Sequence, residues 1–154
     1  MQSRYLYQTK IGRIGISQNG DSITEICLSP SWSSLTKETP LLRQTAEELF
    51  SYLDGKRKAF SVALSPQGTP FQQRVWRALC DIPYGQTRSY GDIARAIGNP
   101  NAARAVGMAN HNNPILIMIP CHRVIGANGT LVGYGAGLDT KQYLLELEGA
   151  QYQK

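Results

Sequence analysis

The apolar positions change spacing along the chain, and the change marks its organisation. Over the first thirty residues Tyr5, Leu6 and Tyr7, then Ile14 and Ile16, then Ile23, Ile26 and Leu28 stand among small or polar neighbours, a short-period pattern that predicts β structure. Asn19-Gly20 accepts positive φ at both positions and signals a two-residue hairpin, so an antiparallel meander of about three strands is expected. A Ser-rich stretch from Ser29 to Thr39 reads as a loop. Thr39-Pro40 then fits a cap followed by proline in the first helical turn, with Leu42, Leu49, Phe50 and Leu53 as an apolar stripe and Gly55 as the stop. After a short apolar segment, Phe60 to Leu64, the run Ser65-Pro66-Gln67-Gly68 is the best linker, which predicts domains over residues 1–67 and 68–154.

Beyond the linker the spacing becomes helical. Thr69-Pro70 opens a helix carrying Phe71, Val75, Trp76 and Leu79, and Ile82-Pro83-Tyr84-Gly85 ends it. Ser89 with Asp92 caps a second helix that runs through Ile93 and Ile97 to Gly98. A tight turn, Gly98-Asn99-Pro100-Asn101, leads directly into a third helix from Ala102 to about His111, so the pair reads as a helix-turn-helix. Ile115 to Ile119 is continuously apolar and predicts a buried extended segment ending at Pro120. Asn128-Gly129 predicts a hairpin between Val124-Ile125 and Leu131-Val132, and a last helix is expected from about Asp139 to Glu148, with Gly149 as its stop.

Composition adds partners and excludes some classes. The formal charge of +5 is a modest excess, but between Ile82 and Leu138 the only acidic residue is Asp92, against Arg88, Arg95, Arg104 and Arg123. Arginine suits bidentate phosphate and base contacts, so this half is the candidate nucleic-acid face. The third helix is nearly bare on several faces, with Ala102, Ala103, Ala105, Gly107 and Ala109, which permits close approach to another surface. Arg104 stands in its first turn, where the helix dipole disfavours a cation, and so calls for a phosphate or base as partner. No apolar run is long enough for a membrane helix and no secretion pattern opens the chain, which predicts a cytoplasmic protein. Three cysteines, Cys27, Cys80 and Cys121, without close spacing argue for free thiols in a reducing compartment.

The chemistry centres on Cys121, between Pro120 and His122. In a dry site a thiol holds its proton, so a nucleophile there needs a proton acceptor, and His122 is the obvious one. Adjacent residues cannot share a strand face, which predicts a turn and a water bridging the two side chains. An imidazole base works best when an acid fixes its tautomer; Glu148 is the natural orienter, although Asp139 and Glu146 cannot be separated from it by spacing. Cysteines and histidines are numerous enough for zinc, but no ligand spacing exists, so no metal is expected. Gly133-Tyr134-Gly135-Ala136-Gly137 lacks the lysine and setting of a phosphate loop and reads as the wall of a flat pocket.

Pro120-Cys121-His122-Arg123-Val124 resembles the reactive motif of the O6-alkylguanine-DNA alkyltransferases. Gly98-Asn99-Pro100 with Ala102 to Gly107 is similar to that family's reading helix, and Leu144-Leu145 to Glu148-Gly149 to its closing helix. The resemblance covers about residues 69 to 149. It implies an α/β protein with a ribonuclease-H-like N-terminal domain of antiparallel sheet and a winged-helix C-terminal domain that binds duplex DNA and flips the damaged guanine. It implies also that Arg104 fills the gap left by the base, from the minor groove, and that Tyr90 lies at the rotating phosphate and beside the flipped base as a proton donor. Asn113, by the same resemblance, is a hinge that joins the relay of Glu148, His122, water and Cys121. Ala102, Ala103, Arg123, Val124, Tyr134 and Gly135 are then expected to contact substrate or DNA. Gly135 stands where some relatives carry serine, leaving only backbone donors there. The implied activity needs no cofactor, consumes Cys121 once and is that of a monomer on double-stranded DNA containing O6-alkylguanine.

Overall fold

The structure, a computed structural model, describes residues 2–132, 134 and 137–152. The chain divides into two compact units: Met1–Gln67 with Pro114–Leu116, and Gly68–Asn113 with Ile117–Lys154.

In the first unit β1 (Gln2–Thr9), β2 (Gly12–Asn19) and β3 (Ser22–Leu28) form an antiparallel meander in that order. The turn at Asn19-Gly20 is the expected one, with Gly20 at φ 61°. Central β2 is buried from Ile14 to Ser17. Gly15 lets the following loop lie against this strand, because a Cβ would come within 2.7 Å of the Pro30 and Trp32 side chains and displace them. Helix α1 (Pro40–Leu53) begins as read, with the Thr39 side chain accepting from Leu42 N, and it buries Leu42, Ala46, Leu49, Tyr52 and Leu53. The free edge of β3 is covered twice: Ile23 exchanges backbone hydrogen bonds with Ala63 and Ser65, and Ile26 with Pro114 and Leu116. Two parallel bridges thus blunt an otherwise open edge.

The second unit is mainly helical. Helix α2 (Pro70–Cys80) opens with a full capping box between Thr69 and Gln72 and buries Val75, Trp76 and Leu79. The Trp76 indole donates to the Ala109 carbonyl at 2.9 Å, which ties α2 to the helix that carries Arg104. A two-residue strand, β4 (Arg88–Ser89), leads into α3 (Tyr90–Ala96), capped by Ser89 and Asp92, and a turn with Gly98 at φ 79° leads into α4 (Ala103–His111). A single 3-10 turn, Cys121–Arg123, precedes β5 (Val124–Ile125), and α5 (Leu138–Glu148) ends at Gly149 in the left-handed region.

Two expectations are corrected. Ile115 to Ile119 is not an extended segment. Residues 116–118 form a turn, with Ile117 at φ 71°, and Ile119 O accepts from Cys121 N. One apolar run serves two units, bonding to β3 and then reversing to deliver Cys121, and periodicity cannot distinguish a buried strand from a buried turn. A left-handed β-branched residue costs about 1–3 kcal/mol, which the surrounding packing must offset. Nor do Val124-Ile125 and Leu131-Val132 form a hairpin. The turn exists, closed by Gly126 N donating to Thr130 O at 2.8 Å, but β5 pairs in parallel with β4, so the strand before α3 claims the edge. Among the described residues no helix is long and apolar enough to cross a membrane.

Candidate active site

The second unit brings Cys121, His122, Arg123, Asn113 and Glu148 into one buried cluster. The 3-10 turn presents consecutive side chains in different directions, which answers the problem that adjacent residues pose on a strand. Asn113, just past α4, donates from Nδ2 to Ile119 O at 2.8 Å and so holds the turn that delivers the thiol. Asn110, inside α4, donates more weakly to the Cys121 carbonyl at 3.4 Å.

Cys121 is 2% exposed. Burial pushes its thiol up to about 11, against hydrogen bonds from Asn113 and Tyr134 and the positive charge of Lys141, all of which favour the thiolate. The thiol therefore keeps its proton at neutral pH until a base removes it. His122 is buried completely, and its Nε2 lies 2.8 Å from Glu148 Oε2. Burial depresses the imidazole below its ordinary value in spite of the carboxylate, so the ring is neutral at neutral pH. A neutral ring that donates from Nε2 to a carboxylate has its lone pair on Nδ1. Nδ1 is buried and has no hydrogen-bond partner among the described residues.

Glu148 is held from two sides. Arg123 donates from Nε to Oε1 at 2.8 Å and from Nη2 to Oε2 at 2.9 Å, and its Nη1 donates to Ile82 O at 2.7 Å. This bidentate fork supplies the counter-charge a buried carboxylate needs. The turn after α2 adds a longer contact, Gly85 N donating to Glu148 Oε1 at 3.4 Å, with Gly85 at φ 82°. Of the three acids that spacing left equivalent, only Glu148 faces the histidine. Asp139 is exposed and Glu146 bonds the Tyr152 hydroxyl.

The remaining expected residues fall into three groups. Tyr90 opens α3, half-buried, and its hydroxyl donates to Val132 O at 3.1 Å; burial and the nearby Cys121 push the phenol up. Tyr134 is buried beside the thiol, while Gly135 lies outside the described residues. On α4 and its approach, Ala102 and Ala103 are half-exposed and Arg104 is exposed without a hydrogen bond or ion pair among the described residues. Two other arginines of this stretch are engaged, exposed Arg95 with Asp92 and half-buried Arg88 with Gln86 and Thr87. Arg123 is spent on Glu148 and Ile82, and the Val124 side chain is wholly buried in β5.

Sequence reasoning passed over Lys141. It is fully buried, with Nζ donating to the carbonyls of Val124 at 2.6 Å and Val132 at 2.8 Å. A signal was present: Lys141, Leu144, Leu145 and Glu148 stand at helical spacing on one face, so a lysine shares the apolar stripe of α5. Among the described residues no cluster of acidic, histidine or cysteine side chains is arranged to hold a metal.

A cysteine whose neighbouring imidazole is oriented by a buried, arginine-held glutamate, beside a helix that leaves one arginine outward, defines a thiol group-acceptor joined to a DNA-reading helix pair. Comparisons with known proteins agree. Residues 70–150 match the DNA-binding domain of 6-O-methylguanine DNA methyltransferase, and residues 4–66 match its ribonuclease-like domain. The chain is 46% identical over 157 residues to the constitutive methylated-DNA–protein-cysteine methyltransferase of Bacillus subtilis, covering 96% of this chain and 95% of that protein. It is 56% identical over 117 residues to the Methanosarcina acetivorans protein of the same general name, covering 76% of this chain and 75% of that one. Mycobacterium tuberculosis OGT, solved in complex with DNA, superposes with a TM-score of 0.89 at 46% identity over 95% of this chain and 92% of its own. The chain belongs to the 6-O-methylguanine DNA methyltransferase family.

Proposed function

We propose that the protein repairs duplex DNA by moving the alkyl group of O6-alkylguanine onto Cys121. The observation that carries this reading is the chain of contacts from Arg123 to Glu148 to His122, which leaves His122 Nδ1 as a buried acceptor one residue from a buried thiol. His122, through a bridging water, takes the thiol proton while Glu148 stabilises the imidazolium. The sulfur then attacks the alkyl carbon, the carbon–O6 bond breaks, and Tyr90 gives its proton to the departing guanine, with the thiol proton making up the balance. The product is a thioether. Nothing in the site could cleave such a bond, so each molecule acts once, without a cofactor.

The buried thiol reaches guanine only if the base leaves the helix, so the lesion is flipped into the pocket beside Tyr90 and Tyr134. The α3–α4 pair then serves as the helix-turn-helix of a winged-helix reader. Its unpaired, outward Arg104 occupies the vacated position from the minor groove, where Ala102 and Ala103 allow close approach. Three free cysteines and a DNA substrate fit a monomer working in a reducing cytoplasm.

Incubation with duplex DNA carrying O6-methylguanine is expected to add one methyl group's mass to the Cys121 peptide and none to those of Cys27 and Cys80. Cys121→Ala should bind the duplex and leave the lesion intact. An unmodified Cys121 peptide after full occupancy of damaged DNA would overturn the reading.

A further inference from the structure

The proposed reaction makes no use of Lys141, yet this ammonium is buried where leucine would pack, and taking a charge out of water is costly unless its donors are satisfied. Its Nζ spans two carbonyls, Val124 immediately after the reactive turn and Val132 on the far side of the Gly126–Thr130 turn. One side chain therefore pins the loop that starts at Cys121 to the loop that ends beside Tyr134. The Val132 carbonyl also accepts from the Tyr90 hydroxyl. The candidate proton donor is thus engaged with Val132, and it must leave that carbonyl before it can serve a base.

We propose that Lys141 is a positioning residue for the transfer: it fixes the Val132 carbonyl against the reactive segment and keeps it hydrogen-bonded when the Tyr90 hydroxyl moves to the flipped guanine. The inference rests on the alkyl-transfer reading above and adds a residue to it. A charge-assisted bond from Lys141 is stronger than the neutral one from Tyr90, so the carbonyl loses little when the phenol departs. Without Lys141 the same departure strips the carbonyl of both donors, and Tyr90 is held back. Burial pulls the ammonium down to about 8, which leaves most of it charged at neutral pH.

The charge of Lys141 also favours the Cys121 thiolate, so a single variant does not separate the two effects. A double-mutant cycle does. Single-turnover methyl transfer from O6-methylguanine duplex, with protein saturating, is compared for wild type, Lys141→Met, Tyr90→Phe and the double variant, with duplex affinity and thermal melting followed alongside. Lys141→Met is expected to slow transfer about tenfold at unchanged duplex affinity, and by less than about twofold when Tyr90 is already phenylalanine. An equal loss in both backgrounds assigns Lys141 to the thiol or to folding and overturns the proposal, as does a wild-type rate for Lys141→Met. Should the methionine variant fail to fold, Lys141→Gln carries the cycle as a neutral donor: a loss of about threefold with Tyr90 in place and none with phenylalanine there is expected, and an equal loss in both backgrounds, or no loss in either, overturns the proposal. Wild-type protein that never methylates Cys121 removes the alkyl-transfer reading as well, whereas the overturning results just named leave that reading standing.

Discussion

Each unit buries a helical glutamate, Glu48 in α1 and Glu148 in α5, at 4% and 6% exposure. Both pin a distant segment to their helix. Glu48 accepts from the Ser61 backbone and hydroxyl and from Gln44, with the half-exposed Arg57 at 3.8 Å, and so fastens the chain near Phe60 to α1. Glu148 accepts from both sides of the Arg123 fork and from His122, and so fastens the reactive turn to α5. A buried, satisfied carboxylate is therefore a fastening device first. Its partners decide whether it is more: the hydroxyl and amides around Glu48 have no proton to move at neutral pH, while His122 stands next to a thiol.

Glu148→Gln is the strongest test of that contrast. It leaves the Arg123 charge buried without a counter-charge and the imidazolium without a stabiliser, so methyl transfer should fall at least about 100-fold and stability by about 3–5 kcal/mol, measured by single-turnover transfer and urea unfolding. A transfer rate near wild type would put Glu148 in the same class as Glu48. Glu48→Gln, by the same two measurements, should cost about 1–3 kcal/mol and leave transfer within about twofold.

Acid titration of stability separates the two sites next. Burial raises the Glu48 carboxyl, but the Ser61 and Gln44 hydrogen bonds and Arg57 together outweigh it and hold the group below its ordinary value. A carboxylate depressed in the fold contributes stability above its unfolded value of about 4.3 and loses it as pH falls below that, so Glu48→Gln should flatten the stability curve there. His122, also depressed by burial, loses its contribution earlier, as pH drops from about 6.5 and the unfolded chain takes up a proton the fold resists. A single acid limb unchanged by Glu48→Gln would contradict this separation. The smallest effect belongs to Arg57→Ala, under about 1 kcal/mol in the same unfolding assay, because the pair is long and its arginine 38% exposed.

Much of this was legible in the chain. Thr39, Thr69 and Ser89 were read as caps and each receives the expected backbone donor, because capping acts across three residues. Asn19-Gly20 turned the meander, and Gly98 and Gly149 ended their helices in the left-handed region for the same short-range reason. Local signals mislead where a segment has competing partners. The Ile115–Ile119 run divides between a strand edge and the reactive turn, and Val124-Ile125 prefers β4 to the hairpin its turn suggests.

From residues alone one can read the helices, the meander, the reactive thiol and its imidazole neighbour, since each depends on side chains within about one turn of one another. The fold was needed to select Glu148 over Asp139 and Glu146, to turn Arg123 inward and to bury Lys141 against two carbonyls. Those contacts join residues 17 to 26 positions apart, or 9 for Val132, across elements whose approach is set by packing, and no local periodicity encodes them.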